Sequence, residues 1–143
     1  MPNSVLIVDD SYLVLRVMRD FFESLTDWNI VGDAEGGAEA IQKAKQLKPD
    51  VILLDFSMPD MNGIEAAAIL KKMLPDVHII VFTMYDAALG SRLCSSAGVD
   101  LVVSKAEGLN GLVKAVNHFM GTTGLLKSAA KIDHQSACPS EQT

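Results

Sequence analysis

Cysteine is scarce in this chain. The 143 residues contain only Cys94 and Cys138. Neither has metal-binding spacing to the other or to a histidine, which excludes a thiolate metal centre and leaves two ordinary cytosolic thiols. Basic residues are also few: 12 Lys and Arg stand against 18 Asp and Glu, for a net charge of −6. Residues 1–120 carry all of that excess, because Lys127 and Lys131 offset Asp133 and Glu141 beyond them. With no basic patch to track a phosphate backbone, direct binding of nucleic acid is disfavoured. No apolar run exceeds the length of a strand, so neither a signal peptide nor a spanning helix is expected, nor insertion into a membrane. A cytoplasmic location is the expectation. Internal repeats are absent, and no disorder signature accompanies the 49% apolar and 21% charged composition.

Short apolar runs alternate instead with helix-like segments of about a dozen residues, the pattern of βαβ units and a parallel sheet. The runs are Val5–Val8, a weaker Asn29–Gly32, Val51–Leu54, Ile79–Phe82 and Leu101–Ser104. Between Ser11 and Leu25, the residues Leu15, Met18, Phe22 and Leu25 recur at helical spacing, with Ser11 or Asp10 able to cap. Gly36 and Gly37 open a second helix that carries Lys43, Lys45 and Lys48 toward its end and stops at Pro49. A third helix spans about Gly63 to Leu74, and a last one Leu109 to Met120. A fourth, near Ala87 to Ala97, is weak because Gly90, Ser91, Ser95 and Ser96 lower its propensity. The expected fold is therefore α/β: five strands and five helices in a doubly wound sheet covered on both faces, with ligands at the carboxyl ends of the strands. Residues 1–120 form the domain. Residues 121–143 read as a mobile tail, with a helical turn around Leu125 to Lys131.

The strand ends carry the chemistry. Val5–Val8 ends in Asp9 and Asp10, Val51–Leu54 in Asp55, Ile79–Phe82 in Thr83, and the last run in Lys105. Burying an unpaired carboxylate costs several kcal/mol or forces it to hold a proton. Three such groups at one edge call for a cation, and oxygen-only ligands select Mg²⁺ or a similar hard ion. A carboxylate beside that ion can attack a phosphoryl group and form an acyl phosphate. An ammonium and a hydroxyl would then stabilise the phosphoryl oxygens. Taken singly, Asp9 and Asp10 read as helix caps, Thr83 as a strand-end hydroxyl and Lys105 as a solvated lysine. Their coincidence at matching strand ends favours the functional reading. His78 and His118 have no partner legible in the sequence and read as structural.

The segments Val8-Asp9-Asp10-Ser11 and Leu54-Asp55-Phe56-Ser57-Met58-Pro59-Asp60-Met61-Asn62-Gly63-Ile64-Glu65, followed by Thr83 and Lys105, resemble the receiver domain of two-component response regulators over roughly residues 3–120. The resemblance implies a flavodoxin-like (βα)5 sheet of strand order 2-1-3-4-5, with Asp55 as phosphoacceptor. Asp10, Asp55 and the carbonyl of Ser57 would ligate Mg²⁺, and Asp9 would act mainly through water. Thr83 and Lys105 would bind the phosphoryl group. By the same resemblance the chain catalyses its own phosphorylation and slow dephosphorylation. It receives phosphate from a sensor histidine kinase or phosphotransfer protein, then binds a downstream protein or itself, as a homodimer. The face made by the 87–97 helix, the last strand and the last helix would carry that contact.

Some positions depart from the family pattern. Val102 stands where an aromatic often swings inward with the Thr hydroxyl, and bulky Met84 follows Thr83 where a small residue is common; Tyr85 is the nearest aromatic. Ala106 replaces a frequent proline, so the bond after Lys105 is expected to be trans. Ser104-Lys105-Ala106-Glu107 is closest in flavour to receivers joined to helix-turn-helix output domains, although no such domain is expected here. Small Ser57 predicts a phosphoryl lifetime of intermediate length. Three other classes compete. A haloacid-dehalogenase-type phosphatase would need Asp where Ser57 stands, and an electron-transfer flavodoxin would need a phosphate-cradling loop after the first strand. A phosphorylation-independent interaction module of receiver fold is the main alternative.

Overall fold

The structure, a computed structural model, describes residues 4–25, 28–83 and 98–119. In chain order these form β1 (Ser4–Val8), α1 (Tyr12–Leu25), β2 (Asn29–Ala34), α2 (Gly37–Leu47), β3 (Val51–Asp55), α3 (Gly63–Met73), β4 (His78–Thr83), β5 (Leu101–Ser104), a 3₁₀ turn (Lys105–Glu107) and α4 (Gly108–Phe119). The five strands make one parallel sheet of order β2-β1-β3-β4-β5. The expected helix near Ala87 to Ala97, with Met84, Tyr85 and Cys94, lies outside the described residues. So do the segment 121–143 and the side chain of His118.

Alternation along each strand explains why the runs are apolar throughout. Leu6, Val8, Ile52, Leu54, Ile79, Val81 and Val102 face one way and pack on Ala40 and Ala44 of α2 and Ala66, Ala67 and Leu70 of α3. Val5, Ile7, Val51, Leu53, Ile80, Phe82 and Val103 face the other way, onto Leu15, Met18 and Phe22 of α1 and Leu112 and Val113 of α4. A strand buried on both faces has no polar position to spare. In β1, β3, β4 and β5 charge enters only where the strands end, whereas β2, buried less completely, admits Asp33.

Local signals set most helix boundaries. The hydroxyl of Ser11 accepts from the N–H of Val14 at 3.3 Å, so Ser11 rather than Asp10 caps α1. α3 opens on a reciprocal capping box of Asn62 and Glu65. α2 ends at Leu47 because Lys48 turns left-handed (φ 48°) while its N–H bonds the carbonyl of Ala44, one residue before Pro49. Lys43 does not serve the end of that helix: its Nζ reaches the carbonyl of Asp33 at 2.6 Å and pairs with Glu39. β2 runs two residues past the expected Gly32, since the β1 pairing continues through Asp33 and Ala34. The described residues contain no cis peptide bond, so the Lys105–Ala106 bond is trans.

Candidate functional site

Parallel strands deliver Asp9, Asp10, Asp55 and Lys105 to one edge. Oxygen atoms of Asp9, Asp10 and Asp55 lie within 4.8 Å of one another. Asp9 and Asp55 are buried and Asp10 is exposed. Lys105 Nζ stands 3.1 Å from Asp55 Oδ1 and 3.5 Å from Asp9 Oδ2, and 5.1 Å from the centre of the Phe82 ring. The N–H of Ser11 donates to Asp9 Oδ1 at 2.9 Å, whereas that of Ser57 reaches Asp55 Oδ1 only at 3.4 Å. Thr83 is buried one residue beyond Phe82, the register partner of Asp55, and pairs with Ser104. Ser57 is exposed on the turn that follows β3.

Three carboxylates facing one ammonium leave a net negative charge. Burial, and next the charge of Asp9, push the Asp55 carboxyl up to about 6, against the pull of Lys105 and the Ser57 N–H. Asp9 is raised too, first by burial and further by Asp10, with Ser11 and Lys105 opposing. Burial alone would lower Lys105. Its two carboxylate partners outweigh that and hold it above the ordinary lysine value. The site favours taking up positive charge, whether as a proton or as a cation.

Close backbone packing fixes the turn beneath Asp55. The N–H of Gly63 donates to the carbonyl of Phe56 at 2.7 Å. A Cβ at Gly63 would stand 2.8 Å from the carbonyl oxygen of Asp55 and 2.9 Å from Phe56 Cα, so any side chain there moves the end of β3.

Two residues gained roles that their sequence context did not announce. Asp60, in the same turn, accepts from the N–H groups of Gly37 and Ala38 at 3.0 and 2.9 Å, and those bonds, Ala38 foremost, hold its carboxyl below the usual range. It caps α2 from across the sheet edge; the signal was the Gly36-Gly37 pair, which offers bare N–H groups and no capping side chain. Asp100, at the far edge, accepts from the N–H of Ile79 at 2.8 Å and pairs with Lys71 at 3.2 Å. His78 corrects the sequence reading that it lacks a partner, since its Nδ1 lies 3.8 Å from Asp100 Oδ2. At the position of the family aromatic, Val102 is buried in the α2–α3 layer.

With this geometry in view, comparisons define the class. The family model for the response regulator receiver domain matches residues 5–117, and the chain belongs to that family. It is 40% identical over 100 residues to a protein-glutamate methylesterase/protein-glutamine glutaminase of Thermotoga maritima, covering 68% of this chain and 29% of that protein. It is 34% identical over 116 residues to the response regulator protein VraR of Staphylococcus saprophyticus, covering 81% of this chain and 56% of the relative. The chain thus spans from under a third to just over half of the length of these relatives. A chain of the CheX-CheY-BeF3-Mg+2 complex from Borrelia burgdorferi superposes with a TM-score of 0.76 at 25% identity, over 84% of this chain and 90% of that one. The doubly wound, flavodoxin-like architecture is that of the family. Among the described residues no helix is long and apolar enough to cross a membrane.

Proposed function

We propose that this receiver domain is a phosphorylation-dependent signalling switch that accepts a phosphoryl group on Asp55. The observation that carries the reading is the convergence of Asp9, Asp10 and Asp55 on one ammonium, 3.1 Å from Asp55, at the carboxyl edge of the sheet. The donor is the phosphohistidine of a sensor kinase or phosphotransfer protein. A carboxylate oxygen of Asp55 forms the new bond to phosphorus as the bond to the donor nitrogen breaks, and the electron pair leaves with the imidazole. Lys105 then shifts its ion pair to the phosphoryl oxygens, and the hydroxyl of Thr83 donates to them.

The donor set fits Mg²⁺. It is all oxygen, clustered within 4.8 Å, and more negative than Lys105 alone offsets. Asp9, Asp10 and Asp55, with the carbonyl of Ser57, would hold the ion, Asp9 mainly through water. When bound, it neutralises charge on the transferring oxygens. The Borrelia relative, whose complex contains BeF3 and Mg²⁺, supports this assignment by analogy. Conversion of Asp55 to its phosphate then shifts a two-state equilibrium toward a form that binds a downstream protein or a second copy.

Mass spectrometry after incubation with acetyl phosphate and Mg²⁺ tests the reading. The wild type gains one phosphate and Asp55→Asn gains none. Failure of the wild type to gain phosphate would instead favour a phosphorylation-independent interaction module, a reading to which buried Val102 lends weight because the usual aromatic is missing. Ser57 is too small to shield the acyl phosphate and too weak a base to hasten its loss, so the lifetime should be intermediate. Dephosphorylation rates that do not differ between the wild type and Ser57→Asn would remove Ser57 from the mechanism.

A further inference from the structure

The loop between β3 and α3 carries Ser57, and little holds its middle. At one end the N–H of Phe56 donates to the carbonyl of Phe82, and at the other the N–H of Gly63 donates to the carbonyl of Phe56. Between these ends Ser57 is exposed, and its N–H reaches Asp55 only at 3.4 Å. The firm hydrogen bonds that leave residues 57–61 for another element are the two that Asp60 accepts from Gly37 and Ala38, at 3.0 and 2.9 Å. Asp60 Oδ1 also accepts from the N–H of Met61 at 3.0 Å, which steadies the carboxylate. Two glycines permit this approach. A Cβ at Gly37 would overlap the Met61 side chain, and one at Gly36 would stand 3.0 Å from Asp60 Oδ1.

We infer that Asp60 is a positioning residue for the metal site, acting through the loop that presents the Ser57 carbonyl. The inference deepens the proposed function and rests on it for the identity of the ion. Two loops must keep one register for a single ion to meet both: the loop after β1 with Asp9 and Asp10, and the loop after β3 with Ser57. β2 is tied to the first of these, because the N–H of Asp9 donates to the carbonyl of Ala34 at 3.1 Å. α2 follows at Gly37, and Asp60 takes its first two N–H groups. A path of bonds from Asp9 through Ala34 and α2 to Asp60 therefore joins the two loops outside the sheet. Without Asp60, the middle of the β3–α3 loop keeps the apolar packing of Met58 and Met61. Such packing is non-directional and does not aim a carbonyl. The positive end of α2 adds attraction for the carboxylate, and α2 has no capping side chain of its own to compete for those N–H groups.

Calorimetric titration of the full chain with Mg²⁺, beside thermal unfolding without the ion, separates positioning from capping. Asp60→Ala should weaken Mg²⁺ binding about tenfold, the usual scale for a residue that orients a ligand. Loss of the α2 cap should also lower its melting temperature by about 4 °C. Gly36→Ser added to Asp60→Ala gives α2 a cap of its own, and the three atoms nearest the new Cβ are Asp60 carboxylate atoms that the first substitution has removed. That double variant should regain the melting temperature and keep the weakened binding. Asp60→Asn retains a side-chain oxygen to accept one of the two bonds and should bind Mg²⁺ better than Asp60→Ala. Wild-type affinity in Asp60→Ala would overturn the inference, as would affinity that returns with stability in the double variant. Equal losses in Asp60→Asn and Asp60→Ala would assign the effect to charge and overturn it as well, and so would a wild type that binds no Mg²⁺. A wild type that binds Mg²⁺ with the expected differences, yet gains no phosphate from acetyl phosphate, would sink the proposed function and leave the role of Asp60 standing.

Discussion

The two edges of the sheet handle carboxylates in opposite ways. At the amino edge, Asp50 accepts from the N–H and hydroxyl of Ser4, both at 3.1 Å, and Asp100 is bonded by Ile79 and Lys71. Each has its own local donors. At the carboxyl edge, Asp9 and Asp55 share one ammonium and are more deeply buried, and both carboxyls are raised. One edge uses carboxylates to fasten strands. The other holds charge in an environment that has not neutralised it, which keeps it ready for a ligand or a reaction. Stability at that reactive edge therefore rests on backbone packing rather than on ion pairs.

This contrast can be broken by substitution. Gly63→Val should have the largest effect, about 3 kcal/mol of destabilisation in urea unfolding, because its side chain meets the backbone of Asp55 and Phe56. A cost below about 1 kcal/mol would mean that the turn can relax, and the packing argument would fail.

Asp100→Ala comes next, at about 2 kcal/mol, since it strips the Ile79 N–H of its acceptor. Asp100→Asn keeps an acceptor and should cost less. Equal losses for the two would place the value of Asp100 in its charge.

Asp55→Asn should have the opposite sign, a gain of about 1–2 kcal/mol at pH 8 with Mg²⁺ chelated, from removal of a poorly compensated buried charge. The sign follows from the raised folded-state value. Asp55 binds its proton more tightly folded than unfolded, so the wild type loses stability as pH rises from the ordinary 3.8 through about 6. The advantage of Asp55→Asn should grow over that window, level off above it and vanish near pH 3. A pH-independent difference would refute the electrostatic account.

Added Mg²⁺ provides the smallest test, a difference between differences. It should raise the melting temperature of the wild type more than that of Asp55→Asn, and more at pH 8 than at pH 5, where the carboxylates bind protons instead. Equal shifts in the two chains would separate the ion from Asp55.

Much of this contrast was legible in the sequence at the carboxyl edge and little of it at the amino edge. Apolar runs closed by Asp9, Asp10, Asp55, Thr83 and Lys105 are local patterns, and a parallel sheet turns strand ends into neighbours without further information. Asp100 and His78 carry no such mark. Asp100 follows Gly98 and Val99 as an ordinary loop acid, and its partners Lys71 and Ile79 lie more than twenty positions away. Asp60 was visible as part of a motif, but its bond to the start of α2 was not.

The sequence by itself determined the layers of the fold and the identity of the acidic edge, because strand periodicity and strand ends are properties of neighbouring residues. Tertiary structure alone decided that Lys105 spans two carboxylates, that Asp60 caps a helix of another unit, and that Val102 fills a core position where an aromatic could have moved. Those outcomes depend on how separate elements pack, and packing distance is not written in the spacing of any one segment.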